Sequence, residues 1–326
     1  MIRYAVIGTN FITDRFIGAA KECSKIQLHG VYSRDINRAR EYADKYNATL
    51  TFGSLEDLAE CDEIDMVYIA SPNSFHCEQS IQMLTSKKHV LCEKPIASNS
   101  EELRKMLQAA KENHVVLLEG MRTAYDPGFK EIGKNLCKLG TIRRASFYFC
   151  KYSSRYDNYK KGMIENAFRP ELSNGALMDI GVYLVHGMVK LFGVPDSMKS
   201  QSIILENGID GAGTIIAKYK DMQAELMYSK IADSYMPSEI QGENATMVIG
   251  RITEPEELII YYKDGHKETI RIEKKQNNMY YEVVEMVRLI ENQRNEEDYN
   301  KYSSMELKVM DAVRAEIGIK FPTDSI

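Results

Sequence analysis

The first 120 residues alternate short apolar runs with stretches of helical spacing, and that alternation restricts the fold more than any other feature of the chain. Strand-like runs stand at 2–7, 26–32, 66–70, 89–92 and 115–119, with a weaker one at 49–52. They are short and rich in Val, Ile and Leu, as strands buried on both faces are. Between them the clearest helix is 101–112, where Leu103, Met106, Leu107 and Ala110 share one face. Ser98, three residues before Glu101, is placed for a capping box at its start. Strand–helix alternation predicts a parallel, doubly wound sheet with right-handed crossovers.

Beyond residue 120 the pattern changes. A strong helix is predicted at 176–191, among alternating runs at 145–152, 213–220, 223–231, 245–249, 257–262 and 268–272. Lys220-Asp221 and Asp264-Gly265 are turn signals between such runs. These features predict a large, open, mostly antiparallel sheet. Two helices close the chain at 280–292 and 305–317, with Ser303 and Glu306 placed for a second capping box. At roughly 150 residues per domain, 326 residues suggest two. The expected division is an α/β Rossmann domain at 1–121 and an α+β domain at 122–326, with the final helices packing back on the first. The second would bind substrate and oligomerise.

Net charge is -5 with both signs dispersed, so nothing favours a nucleic acid as partner. Met1 leads straight into a strand-like run, without the pattern of a secretory leader. No unbroken apolar run reaches the roughly 18 residues that span a bilayer, so no membrane partner is expected. The six cysteines show neither C-x-x-C pairing nor zinc-like spacing. No metal is expected, and the setting reads as cytoplasmic, with reduced thiols.

At the end of the first strand stands Gly8-Thr9-Asn10-Phe11-Ile12-Thr13, where a dinucleotide fingerprint G-x-G-x-x-G/A belongs. Only Gly8 is kept; Asn10 and Thr13 hold the other two positions. Asn tolerates a left-handed backbone next best after Gly. The next strand ends in Ser33 and Arg34, with Arg38 one helical turn on. A small hydroxyl beside guanidinium groups suits a 2′-phosphate, favouring NADP(H) over NAD(H), which stays possible. The alternative is that Arg34 and Arg38 are solvated and Asp35 caps the following helix.

A third element is Ala70-Ser71-Pro72-Asn73-Ser74-Phe75-His76, at the carboxyl end of a buried strand, where parallel sheets bind ligands. Blandly read, Ser71 is an N-cap, Pro72 the first helical residue and His76 structural. Glu93-Lys94-Pro95 ends another strand and is either a surface turn or part of a site. On the 176–191 helix Asp179, Tyr183 and His186 are four and three apart and share a face, beside largely apolar neighbours. They are either site groups or buried polar groups that find partners.

"AVIGTNFIT", "YSR", "IASPNSFH", "CEKP" and "GALMDIGVY" occur in the order and spacing of the Gfo/Idh/MocA oxidoreductases, and the chain resembles that family over essentially its whole length. "EGMRTAYDP" and "FRPELSNGALMDIGVY" resemble most the branch of dimeric dihydrodiol dehydrogenase and glucose-fructose oxidoreductase. The resemblance implies a cis bond before Pro95, Lys94 directed at the nicotinamide and Glu93 near the cofactor ribose. It implies hydride transfer between NADP(H) or NAD(H) and a hydroxyl or carbonyl carbon of a small sugar, polyol or diol. Tyr183 stands where many members have His and would act as acid/base, as in the dihydrodiol dehydrogenase branch. Lys94 would stand beside it, and Asp179 would orient Lys94 or the substrate hydroxyls. Arg122 and His186 are candidate substrate contacts. Pairing through the second sheet, as homodimer or homotetramer, is implied too. Rival readings are a non-catalytic nucleotide-dependent sensor or regulator, and an enzyme that keeps its cofactor bound between two substrates. Residues 152–168, with Tyr152, Arg155, Tyr156 and Tyr159, either line the pocket or cover it.

Overall fold

The computed structural model describes residues 1–292 and 297–325. The chain divides into two compact units, one of Met1–Arg122 with Lys275–Ser304, the other of Thr123–Lys274 with Met305–Ile326.

In the first unit, β1 (Ile2–Ile7), β2 (Ile26–Tyr32), β3 (Leu50–Phe52), β4 (Met66–Ile69), β5 (His89–Glu93) and β6 (Leu117–Gly120) form a parallel sheet in the order β3-β2-β1-β4-β5-β6. Connecting helices are α1 (Phe11–Ala20), α2 (Ile36–Tyr46), α3 (Leu55–Glu60), α4 (His76–Thr85) and α5 (Ser100–Asn113). This is the doubly wound fold that the alternation predicts. Strand order reverses between β1 and β4, and ligands bind such sheets at the carboxyl ends beside that reversal. The core is aromatic behind the reversal. Tyr68 of β4 stacks on Phe16 of α1 at 3.7 Å, and Tyr4 of β1 meets the same ring edge-on.

The predicted capping box of α5 is displaced by one residue. Asn99, not Ser98, caps the helix, accepting from the Glu102 amide at 2.8 Å. Glu102 reaches back to the Ser98 amide, also at 2.8 Å. Asn caps as well as Ser, so the sequence admits both registers.

The second unit opens with α6 (Arg122–Tyr125), whose first residue belongs to the first unit, and α7 (Pro127–Asn135). Its sheet has eight strands: β7 (Ile142–Cys150), β8 (Ser197–Ile204), β9 (Asp210–Lys218), β10 (Gln223–Ser229), β11 (Ser238–Gly242), β12 (Ala245–Gly250), β13 (Glu257–Tyr262) and β14 (Lys267–Arg271). Their order is β14-β13-β12-β11-β7-β10-β9-β8, antiparallel throughout except for the central parallel pair β7–β10. One face is core, with Phe147, Ala224, Leu226, Tyr228, Ile240 and Met247 buried. The alternating residues of the other face include Ile216, Met227 and Tyr261, all exposed.

Over 152–168 the chain folds into α8 (Ser154–Lys160) and a 3-10 turn, Asn166–Phe168. The expected helix at 176–191 divides into a π-helical turn, Leu177–Gly181, and α9 (Val182–Phe192). By length and composition Pro170–Phe192 is apolar enough to cross a bilayer, although no unbroken apolar run in it is that long. Most of it is buried within the protein, as a core helix is.

Near the end, α10 (Met279–Asn292) packs on α1 and β6 of the first unit, and α11 (Glu297–Ile317) runs on from the first unit into the second. The capping box expected at Ser303 and Glu306 does not form, because both lie inside α11. The Ser303 hydroxyl instead donates to Glu119 at 2.5 Å.

Candidate active site

The first group of site residues gathers at the carboxyl ends of β1, β2, β4 and β5. Gly8 ends β1 at φ +108, and a Cβ there would lie 2.6 Å from the Ala70 carbonyl oxygen, so only glycine fits. Asn10 does not take the left-handed backbone expected of it; its φ is -122. Its value is in its side chain. The Asn10 oxygen accepts from the amides of Ile12 and Thr13 at 2.9 and 3.3 Å, and its amide nitrogen donates to Ala70 O at 2.9 Å. One asparagine thus caps α1 and ties the β1 loop to the β4 loop. Thr13, at the third fingerprint position, is fully buried, whereas the neighbouring Phe11 is exposed.

At the end of β2, Asp35 caps α2 through the Asn37 amide, so this acid is engaged locally. Arg38 reaches the β1 loop, donating to the hydroxyl and carbonyl oxygens of Thr9 at 2.5 and 2.8 Å. Arg34 lies over the Phe75 ring at 5.9 Å. Two guanidinium groups and the Ser33 hydroxyl therefore stand where a ribose would be read.

In the next loop, Pro72 precedes a 3-10 turn, Asn73–Phe75, and Ser71 bonds Gln79 at 2.7 Å rather than capping a helix. Asn73 is buried. His76 is buried as well, with Nδ1 and Nε2 each 2.9 Å from a carbonyl oxygen, of Pro95 and Ser71 respectively. Burial holds its pKa below the ordinary value, against the pull of those carbonyls. His76 thus pins the Ser71 loop to the turn after β5, where the Lys94–Pro95 bond is cis.

Glu93 is buried, accepts from the Tyr68 hydroxyl at 2.6 Å, and has its pKa raised by burial. The Tyr68 bond and the charges of Lys94 and Arg122 act against that rise. Glu119, at the end of β6, accepts from the Ile96 amide at 3.0 Å; burial pushes its pKa up to about 7. Glu282 of α10 is fully buried and shifted the same way, burial first and Glu93 second. Burial thus pushes these acids around the Lys94 turn towards their neutral, protonated forms.

The second group belongs to the other unit. Asp179 lies in the π turn, about a third of its side chain exposed, with Oδ2 2.9 Å from the Lys230 ammonium. Tyr183 is buried, its ring edge-on to Phe149 at 5.8 Å. His186 is buried, Nδ1 2.7 Å from Glu306, with a pKa well below ordinary through burial. The single helical face expected for these three is interrupted, because the turn holding Asp179 is wound i→i+5 and Tyr183 lies in the first turn of the regular helix. Tyr156 and Tyr159 stack on one another and against Phe168, so they cover a small core of Ala167, Phe168 and Ile209.

Sequence reading passed over Tyr68, Glu119, Glu282, Asp210 and Lys230. For two of these a signal existed. Glu119 ends a buried parallel strand, as Glu93 does. Lys230 continues the inward alternation of Ala224, Leu226 and Tyr228, which places a lysine on the buried side.

Residues 2–121 match the family described as "Oxidoreductase family, NAD-binding Rossmann fold". Over 326 residues the chain is 48% identical to scyllo-inositol 2-dehydrogenase (NADP(+)) IolU of Bacillus subtilis (strain 168), covering 99% of each. It is 28% identical to trans-1,2-dihydrobenzene-1,2-diol dehydrogenase of Danio rerio over 76% of this chain and 74% of that one. Among solved structures, KijD10, a 3-ketoreductase from Actinomadura kijaniata in complex with NADP and TDP-benzene, shares the fold with TM-score 0.86 at 19% identity, over 97% and 98% of the two chains.

Proposed function

The chain belongs to the Gfo/Idh/MocA family of oxidoreductases, and from that premise we propose that it transfers hydride between NADP(H) and a hydroxyl-bearing carbon of a small polyol, sugar or diol, a cyclic polyol first among them. The observation that carries this reading is the full-length 48% identity to an NADP-dependent inositol dehydrogenase. The β2 end supports the choice of cofactor. Its Asp35 caps α2, while Ser33 and Arg34, with Arg38 held on Thr9 beside them, supply hydroxyl and guanidinium groups of the kind a 2′-phosphate requires. NAD(H) remains the weaker option.

The first unit is the dinucleotide-binding domain in this reading, and the second binds substrate and pairs with other copies. Gly8, Thr9, Asn10, Phe11 and Ile12 would hold the phosphates. Ser33, Arg34 and Arg38 take the adenosine ribose. Ala70, Ser71, Pro72, Asn73, His76 and Glu93 border the nicotinamide half. When bound, the nicotinamide accepts or gives up the hydride. The alcohol proton must then go to the protein: Tyr183 takes it as the phenolate and becomes the neutral phenol, and in the reverse direction the phenol gives it back. Lys94 supplies the positive charge that an alkoxide developing at the substrate oxygen needs. Asp179 accepts hydrogen bonds from substrate hydroxyls and so orients the reacting carbon. Arg122 serves the substrate side, and His186, held by Glu306, backs the helix that presents Tyr183.

The exposed apolar residues of the eight-stranded sheet, Ile216, Met227 and Tyr261, support a homo-oligomer formed through that face. All six thiols are free, in keeping with a cytoplasmic enzyme.

Fluorescence titration with NADPH and NADH, then a screen of inositols, sugars and diols with the tighter cofactor, tests the reading. NADPH should bind tighter and at least one cyclic polyol should turn over. Tyr183→Phe should then lose about 10²–10⁴ in kcat with NADPH affinity unchanged. Near-normal turnover by that variant would remove Tyr183 from the mechanism. Tight NADPH binding with no turnover across the screen would favour a sensor.

A further inference from the structure

Lys230 follows β10 and is 1% exposed, a rare location for an ammonium. Its nitrogen has three partners. It donates to Asp179 Oδ2 at 2.9 Å and to the Ala167 carbonyl oxygen at 2.7 Å, and it lies 4.6 Å above the Phe168 ring. The main chain on either side is fixed too. The Lys230 amide donates to Gly211 O, and its carbonyl accepts from the Ser153 amide, each at 2.9 Å. A second buried charge stands nearby. Asp210 accepts from the Leu177 amide at 2.7 Å, at the first residue of the π turn, and the Lys230 charge stabilises its anion. Lys230 therefore faces two acids, Asp179 and Asp210, at opposite degrees of exposure.

Burying an ammonium is costly unless an anion and further acceptors replace its water. Here the groups that face it come from three directions, the π turn, the Asn166–Phe168 turn and the start of β9. Asp179 is open, while Lys230 closes the side away from water. Such a lysine fixes the rotamer of the carboxylate, whose remaining lone pairs can accept from hydroxyl groups.

We propose that Lys230 is a positioning residue, which holds the Asp179 carboxylate in the orientation that receives the substrate hydroxyls. The proposal rests on the assignment of Asp179 to substrate orientation made above. It makes Lys230 act through Asp179 and not by touching substrate.

The test compares Lys230→Met, Asp179→Asn and the double variant in the full-length enzyme with NADP⁺, using scyllo-inositol or, failing that, the best polyol of the screen. Lys230→Met keeps volume and removes charge. Expected results are a fall in kcat/KM of about 10²-fold for Asp179→Asn and about tenfold or more for Lys230→Met, with NADPH affinity within twofold of wild type in both. The decisive number is the double variant. If Lys230 acts only through Asp179, the second substitution adds nothing, and kcat/KM stays within twofold of Asp179→Asn. A merely structural lysine would lower the melting temperature while leaving kcat/KM per folded molecule within twofold of wild type, and that result overturns the proposal. Additive losses in the double variant overturn it too. Should Lys230→Met alone fail to fold, the double variant, which lacks both charges, still gives the comparison with Asp179→Asn. Wild-type kcat/KM in Asp179→Asn overturns the assignment of Asp179 and this proposal with it, an outcome distinct from a silent Lys230.

Discussion

At the scale of single residues, Glu119 has the most measurable property. Its folded pKa, about 7, stands above that of an exposed glutamate because burial outweighs its hydrogen bonds to Ser303 and Ile96. The folded chain therefore keeps a proton that the unfolded chain releases. The stabilisation from that proton is complete below the unfolded pKa of about 4.3 and is lost as pH rises through 7. Above that range the cost is about 3 kcal/mol. Glu119→Gln should match wild type within about 1 kcal/mol at pH 5 and exceed it by about 3 kcal/mol at pH 8.5, measured by denaturant unfolding at both values. A difference independent of pH would mean that the carboxyl is ionised throughout. Residue chemistry was partly legible in the sequence. Gly8 was, since its backbone angle and crowding admit nothing else. Asn10 was legible as a departure but not as a remedy, because its tie to Ala70 depends on a loop sixty residues away, although its capping bonds are local.

At the scale of elements, the π turn at Leu177–Gly181 has the clearest consequence. It is entered through Gly175, at φ +155, where a Cβ would run into the Asp210 carboxylate. Gly175→Ala should thus cost about 2–4 kcal/mol and lower kcat beyond what the loss of folded protein explains. A thermal melt with activity measured per folded molecule checks this, and an unshifted midpoint would show that the turn has another way in. The elements themselves were largely readable, because parallel strands buried on both faces are continuous apolar runs and half-buried strands alternate. Two strands were missed for physical reasons. β8, Ser-Met-Lys-Ser-Gln-Ser-Ile-Ile, is an edge strand with little buried side, and β11 is short and polar. The π turn was missed because an extra residue in a helix leaves its apolar pattern nearly intact. The first capping box was displaced because Ser, Asn and Glu recur one residue apart and the main chain chooses among them, and the second failed because α11 begins well before Ser303.

At the scale of the whole molecule, the fold class and the family were readable from motifs spread over both halves, whereas the groups that hold the motifs in place were not. Lys230 serves Asp179 from fifty-one positions away. The open face of the eight-stranded sheet is where a second copy should bind. Met227 and Ile216 stand on neighbouring strands there, beside an Arg144–Glu225 ion pair. Wild type should elute at twice the mass of one chain or more, and Met227→Glu with Tyr261→Lys should elute as a monomer with its fold retained, measured by light scattering on a sizing column. An unchanged mass would place the interface elsewhere. The parallel pairing of β7 with β10 has a further effect. Because the two central strands run the same way, the chain leaves both at one rim, into 151–168 after Cys150 and 230–237 after Ser229. Exchange of those two excursions between relatives should accordingly leave the eight-stranded scaffold beneath in register.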